Sequence, residues 1–439
     1  MYSHNQKLGS LPVNQTEFNT CLASLSKTQR EVILLELKGL EVEQIAQARN
    51  CSSNVVYKRR AEAYRRFGIQ NAPGSYFSDE HRQKILALFK QYASEELKQV
   101  IWVEQTELAL KSDIYVARIN EEQAMKKATE QTGSLVRLRG PKHVGKTLLH
   151  LRVLEQLPKQ DYNRVALSFK WADRQTFEGL EGFLRWFCAV VSRELGLTNR
   201  VKDVWDDDLS HNYNATYYFE TCILEALEIP LVLALDDMDL VFDHQDIADD
   251  FSKLLRSWHE QANKGTRSSQ QWQKLRLWII HSTEKYAAWD IHSSPLNNVG
   301  TVVSLIDFDV EQVEDLARQK QVEWASAQTT ELIRLVGGHP ALVQVTFDHL
   351  KHGTTFSEIL KNACTESSIY TSYLREQLDI LRRTPELAQE FKCIVESTDP
   401  IQVNTNASFQ LQSMGLTLLM GNLSAPRNQL YRDYFCSRL

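Results

Sequence analysis

No stretch of this chain strings together the ~18 to 20 apolar residues that a membrane-crossing helix needs. The opening "MYSHNQKLGSLPVNQTEF" also lacks the charged-then-apolar layout of a secretory leader. No membrane association is expected, and a cytoplasmic protein is. The seven cysteines, Cys21, Cys51, Cys188, Cys222, Cys364, Cys393 and Cys436, stand far apart without a C-x-x-C pair. That spacing suggests neither a disulfide framework nor a zinc site. There is no internal repeat and no low-complexity tract, so neither a solenoid nor a long disordered tail is indicated. A net charge of −6 argues against a chain coated in nucleic acid along its length, and leaves room only for local basic patches.

What is present points to several folded modules. At 439 residues and roughly 150 residues per domain, about three domains are expected. Apolar residues at 43% and charged residues at 24% are ordinary globular values. Residues 19–69 carry apolar side chains at i, i+3, i+4 spacing. Ser26 is placed to cap "KTQREVILLEL" and Gly39 to end it; "EVEQIAQA" forms a short helix, "RNCSS" a turn, and a last helix opens near Ser53. Three helices with a tight turn before the last is a helix-turn-helix layout.

"NAPGS" at 71–75 has linker chemistry. Beyond it, strand-like runs "SLVRLRG", "RVALSFKW", "IPLVLALDD" and "KLRLWIIHST" alternate with amphipathic helices, the pattern of a largely parallel sheet. After "TVVSLIDFD" the chain turns helical, and it ends in a helix, two short strands around "MGNLS" and a last helix, which resembles a winged helix. The expected architecture is multi-domain α/β: a helix-turn-helix domain at 1–75, a helical connector at 76–112, a P-loop core with a parallel sheet at 113–310, a helical lid at 311–372 and a winged helix at 373–439.

The most specific pattern is G-x-x-x-x-G-K-[ST], here Gly140, Pro141, Lys142, His143, Val144, Gly145, Lys146 and Thr147, followed by Leu148 as a helix begins. Such a loop turns backbone N–H groups toward phosphates, its lysine reaches the β- and γ-phosphates, and its hydroxyl ligates Mg²⁺. The helix that starts there adds its positive dipole end. "LVLALDDMD" supplies acids at the C-terminal edge of a buried strand: Asp236 to hold Mg²⁺ and Asp237 to polarise the attacking water. An acidic N-cap is the alternative for that segment. "LRLWIIHSTEKY" ends in Ser282 and Thr283, candidate sensors of the third phosphate or simple caps. Arg256 in "LLRSWHE" is the candidate arginine offered in trans, with a solvated helix position as the alternative.

The ordered run "YVAR", "GPKHVGKT", "LALDDMDLVF", "LLRSWHE", "LRLWIIHSTE", "LVGGHPALV" and "MGLTLLMGN" through "LYRDYF" resembles the bacterial AAA-like ATPase family related to STAND and origin-recognition ATPases, across residues 113–436. The resemblance implies that ATP and Mg²⁺ bind. It implies that Arg118 in "VAR" lies by adenine or ribose, and that in "GGHP" Pro340 presses on adenine while His339 reaches a phosphate. An interhelical turn is the alternative for "GGHP". Relatives usually carry Asp-Glu where this chain has Asp236-Asp237, which implies slow hydrolysis or a nucleotide used as a switch.

The N-terminal unit resembles the helix-turn-helix of vWA-MoxR-associated proteins and, more distantly, tetrahelical response-regulator DNA-binding domains. In a DNA reader its last helix would offer Ser53, Asn54, Tyr57 and Lys58 to base edges, and Lys58, Arg59, Arg60, Arg65 and Arg66 to phosphates. A protein-interaction adaptor is the rival, since glutamates at 41, 43 and 62 dilute the patch. The expected whole is a switch whose nucleotide state, ATP or ADP, sets homo-oligomerisation and, through it, engagement of double-stranded DNA or of a partner effector protein. A DNA-loading ATPase of the origin-recognition kind and a non-catalytic nucleotide-bound scaffold are the alternatives.

Overall fold

The computed structural model describes residues 15–37, 52–69, 114–264, 269–284 and 295–439, with positions 42, 45, 46, 81, 84, 85, 88 and 89 between them. Gly39, most of "RNCSS", the linker at 71–75 and most of the connector at 76–112 lie outside the described residues. The chain divides into two compact units, Met1–Ala109 and Leu110–Leu439.

The first unit contains helices α1 (Gln15–Ala23), α2 (Lys27–Leu37) and α3 (Ser53–Arg66). On α3 the buried residues are Val56, Arg60, Ala63 and Tyr64, which recur at helical spacing and so form one inward stripe. Phe18, Phe67 and Phe89 meet with ring centroids 5.2 to 5.6 Å apart, at the centre of a cluster with Leu22, Ile33 and Tyr64. Val42, Ile45 and Ala46 of the expected short helix pack with Val32 and Val56, so the last helix is braced from two sides.

The second unit begins α4 (Ile119–Glu130), β1 (Leu135–Gly140), α5 (Lys146–Gln156), β2 (Asn163–Ser168), α6 (Leu180–Glu194) and α7 (His211–Tyr218). It continues β3 (Leu231–Asp236), α8 (Gln245–Gln261), β4 (Leu275–Ser282) and β5 (Thr301–Ser304). The five strands form one parallel sheet in the order β2-β3-β4-β1-β5. Side chains alternate across it: Leu231, Leu233, Leu235, Leu277 and Ile279 face α6, α7 and α8, while Val136, Leu138, Val232, Ala234, Trp278 and Ile280 face α4 and α5. Both faces are covered, which is why the strands read as near-continuous apolar runs.

The register brings the strand ends level. Gly140 lies opposite Ser282, and Ser168 opposite Asp236, so the C-terminal edge gathers the phosphate loop, the acids and the candidate sensor in one place. β5 was not among the four expected strands. It is a four-residue edge strand on which only Val303 is buried, so it carries no alternating signal.

Beyond β5 come α9 (Val310–Gln319), α10 (Ser326–Val336), α11 (Pro340–Lys351), α12 (Phe356–Asn362), α13 (Thr371–Arg382) and α14 (Pro385–Glu396). The chain then forms α15 (Thr405–Ser413), an antiparallel hairpin of β6 (Thr417–Met420) and β7 (Leu423–Pro426), and α16 (Gln429–Cys436). One apolar core, including Val313, Leu342, Phe347, Leu374, Phe391, Leu411 and Tyr431, runs through the whole of this stretch. The segments expected as lid and winged helix therefore share a single interior. Among the described residues no helix is long and apolar enough to cross a membrane.

Candidate nucleotide-binding site

The loop between β1 and α5 has the backbone a phosphate cradle needs. Gly145 adopts φ +96° with open space where a Cβ would stand, and His143 takes the left-handed region at φ +62°. Strained positions of this kind persist where the surrounding fold holds them, and they cluster at ligand sites. α5 starts at Lys146 with no side chain capping its first amides, which leaves donors and a positive dipole end at the loop. Lys146 Nζ meanwhile donates to the carbonyls of Gly140 at 3.0 Å and Pro141 at 2.8 Å.

Around that ammonium the strand ends collect acids. Thr147 Oγ1 donates to Asp236 Oδ2 at 2.8 Å, and the Asp237 amide donates to Asp236 Oδ1 at 2.9 Å. Burial raises the Asp236 carboxyl above its usual range, with Asp237 adding to the shift. Burial lowers Lys146, against the pull of Asp239, Asp236, Glu284 and Asp237 in that order. Among the described residues no group of three or more His, Cys, Asp or Glu side chains forms a metal cage. Mg²⁺ suits the remaining donors, one hydroxyl and one carboxylate, because it is usually completed by substrate phosphates and water. Acids gathered at the strand edge around Lys146 fit a ligand that arrives with its own cation.

Asp237 is not free. At φ +59°, its carboxylate accepts from Ser168 Oγ at 2.6 Å and pairs with Lys170 Nζ at 2.7 Å, so the end of β2 holds both of its oxygens. Ser282 donates its amide and hydroxyl to Asp239 Oδ1 at 2.8 and 2.7 Å. Thr283 Oγ1 donates to Ser413 O at 2.5 Å. The two sensor candidates thus have different partners, and Ser282 is the one directed among the acids. Arg256 contacts Glu260 at 2.7 Å and Pro295 O at 3.0 Å. Neither contact involves this chain's phosphate loop, as a group offered in trans requires.

Arg118 is 4% exposed. Its guanidinium lies 4.3 Å over the Phe308 ring and donates to Asp307 O at 3.3 Å and Gln312 Oε1 at 3.4 Å. The "GGHP" turn closes against the same wall: Gly338, at φ +74°, has Phe308 O 2.2 Å from where a Cβ would stand, so no other residue fits. Pro340 opens α11 and is buried; His339 is fully buried with Nε2 3.3 Å from Tyr373 Oη. Burial, helped by Arg427 and His143, pushes His339 down to about 3. It is therefore a neutral imidazole in this state, with a polar rather than an ionic hold on any phosphate. Arg427, on the turn into α16, grips Asp307 with two 2.7 Å bonds.

Several of these residues escaped sequence reading. Asp239 stood in plain view two positions after Asp237. Ser168, Lys170, Glu284 and Glu376 sit at strand ends or on a helix with no motif of their own, and only the sheet register brings the first three to the loop.

On α3, Asn54, Lys58, Arg65 and Arg66 are exposed and Ser53, Tyr57 and Arg59 half-buried. Arg60 departs from the expected phosphate face. It is 8% exposed, its Nη1 lies 3.0 Å from Glu36 Oε1 on α2, and its guanidinium lies 5.1 Å from the Tyr57 ring centre. Its position on the apolar stripe turned it inward, where it ties two helices together.

The model of the AAA-like domain matches residues 103–437. The chain belongs to the AAA-like domain family. Residues 15–67 match the model of Sigma-70, region 4, so the helix-turn-helix resemblance holds with a different relative than the vWA-MoxR-associated one. No curated protein matches the chain. Among solved structures, this AAA-like protein is similar to a Walker-type ATPase of Pyrococcus abyssi, at 15% identity over 73% of this chain and 96% of that one, with a TM-score of 0.52. It also matches a STAND protein with a tetratricopeptide-repeat sensor from Pyrococcus horikoshii, at 17% identity over 74% of this chain and 42% of that one, TM-score 0.32. A third match is the Orc1 protein of Aeropyrum pernix in complex with DNA, at 11% identity over 76% of this chain and 96% of that one, TM-score 0.34. At 15% identity the likeness to the Walker-type ATPase is one of fold.

Proposed function

We propose that this AAA-like protein is a slowly hydrolysing ATP switch, whose nucleotide state governs self-assembly and the engagement of DNA or a protein partner by its helix-turn-helix unit. The observation that carries the reading is the meeting of Lys146, Thr147 and Asp236 at one strand edge, among acids whose charge a bound Mg²⁺ would offset. Lys146 would hold the phosphates, Thr147 and Asp236 the cation, and Ser282 would report on the third phosphate. Pro340, His339 and Arg118 line or support the base side, and Arg256 serves a neighbouring copy. The test is particle mass in ATP against ADP, with turnover measured in both the presence and absence of duplex DNA. Mass that depends on the nucleotide supports the switch. Strong DNA stimulation without a mass change favours the loading reading, and binding with neither turnover nor mass change leaves the scaffold.

The hold on Asp237 supports slowness. A water-polarising carboxylate whose oxygens are taken by Ser168 and Lys170 must be released before it can act. Lys170→Met combined with Ser168→Ala is expected to raise ATP turnover several-fold. Unchanged turnover would place Asp237 outside the chemistry and strengthen the scaffold reading.

For DNA, Lys58→Ala and Arg65→Ala are each expected to weaken duplex binding evenly across sequences and to lower the salt slope by about one, as loss of a phosphate contact does. Titrations at several salt concentrations check this. Binding unaffected by both would favour the adaptor.

A further inference from the structure

The phosphate loop is tied by its own side chains to α13. Lys142 Nζ lies 3.1 Å from Glu376 Oε1 and 3.3 Å from Glu284 Oε1. The next residue repeats the link, with His143 Nε2 3.5 Å from Glu376 Oε2 and its ring 5.8 Å from that of Tyr373, edge-on. Tyr373 and Glu376 are i and i+3 on α13 and so present one face. Tyr373 Oη in turn meets His339 of the "GGHP" turn and accepts from Tyr431 Oη of α16 at 3.0 Å. A contact at Lys142 thus reaches the lid turn and the last helix in two steps.

The two acids that share Lys142 are unequal. The Glu284 side chain is 6% exposed and pairs with Lys142, while that of Glu376 is 41% exposed. Burial works against the charge on Lys142, but Glu284 and Glu376 hold its ammonium above the usual range. One lysine therefore answers for two carboxylates beside a site already rich in acid. A triphosphate entering there adds negative charge that repels both acids and attracts the lysine. Leaving Glu284 would strand a buried charge, which is costly. Leaving Glu376 frees a carboxylate that water can solvate. Lysine's long stem and point charge suit such a move.

We propose that Lys142 is a second phosphate-reading lysine: held between Glu284 and Glu376, it is drawn off Glu376 by a bound triphosphate, which loosens α13 from the phosphate loop and leaves His143 as the remaining side-chain link. Glu284 is its positioning residue, keeping the ammonium at the strand end where Ser282 lies. The inference rests on the nucleotide reading above, and it makes Lys142 a determinant of ATP over ADP.

The test uses the full chain, fluorescent ATP and ADP analogues for affinity, and amide hydrogen exchange over residues 371–382. Wild type should show faster exchange there with ATP than with ADP. Glu376→Gln, on a half-exposed side chain, should show the faster exchange without nucleotide. It should also bind the ATP analogue about two- to fivefold more tightly, the equivalent of a partly exposed ion pair no longer competing. Lys142→Met should still bind ADP but lose the ATP-specific exchange. Glu376→Gln behaving as wild type in both affinity and exchange overturns the inference while leaving the nucleotide reading intact. Wild type binding neither nucleotide overturns both.

Discussion

Lys146→Ala is expected to cut ATP turnover by about 100- to 1,000-fold, the size of effect seen when one preorganised donor to a developing charge is removed. Lys146 is the cation in the midst of Asp236, Asp237, Asp239 and Glu284, and its present bonds to Gly140 O and Pro141 O are to loop carbonyls that a phosphate can replace. Without it, phosphates would face these acids with only the helix amides and Lys142 to receive them. Affinity for a fluorescent nucleotide should fall in parallel, since the lysine meets ground-state phosphates as well as the transition state. Wild-type turnover in the variant would mean that the loop is not the hydrolytic site. A pH dependence accompanies this. Burial raises Asp236 and Glu284, so their ionised forms cost stability above their folded values, and that cost disappears as pH falls through them. Mg²⁺ at Asp236 favours the ionised form of that carboxylate, so the thermal stabilisation that a Mg²⁺–nucleotide complex confers should be larger at neutral than at mildly acid pH.

The parts of the site that were legible are those written locally. Gly140 to Thr147 encode a loop by spacing alone, and "LVLALDD" encodes a buried strand ending in acid. The final hairpin was legible too, because Gly421 separates two short runs and a helix follows. What was not legible depends on distant partners. Ser168 and Lys170 acquire meaning only because β2 lies beside β3 in register, and Glu376 only because α13 folds over the loop. Arg60 shows a different failure: it sits four residues after Val56 and three before Ala63, on the stripe that the same helical spacing marks as interior. A run of basic residues on a helix samples every face, so charge alone overstated the phosphate-binding surface.

The largest effect on stability is expected at Arg427. Its side chain is 9% exposed, and it holds Asp307, at 19%, through two 2.7 Å bonds. It also donates to Gly415 O at 3.3 Å, while the main chain of Asp307 accepts from Arg118. Arg427 thus joins the turn before α16 to the segment after β5, and Arg118 joins that segment to the stretch leading into α4. Burial keeps Asp307 above the usual carboxylate range even with Arg427 opposing it. Arg427→Met would leave that largely buried carboxylate without its ion-pair partner, a change that costs about 3 to 5 kcal/mol. Urea unfolding of the Leu110–Leu439 unit should register the loss. Adding Asp307→Leu should restore much of it, because an apolar pair of similar volume removes the stranded charge along with the bond. If the single variant loses less than about 1 kcal/mol, the pair behaves as an exposed one. The wall beneath "GGHP" would then be held by Phe308 and Gly338 rather than by charge. Should the double variant recover stability but respond equally to ATP and ADP, the pair would be retained for the switch, since the bond joins the segment after β5 to the turn into α16.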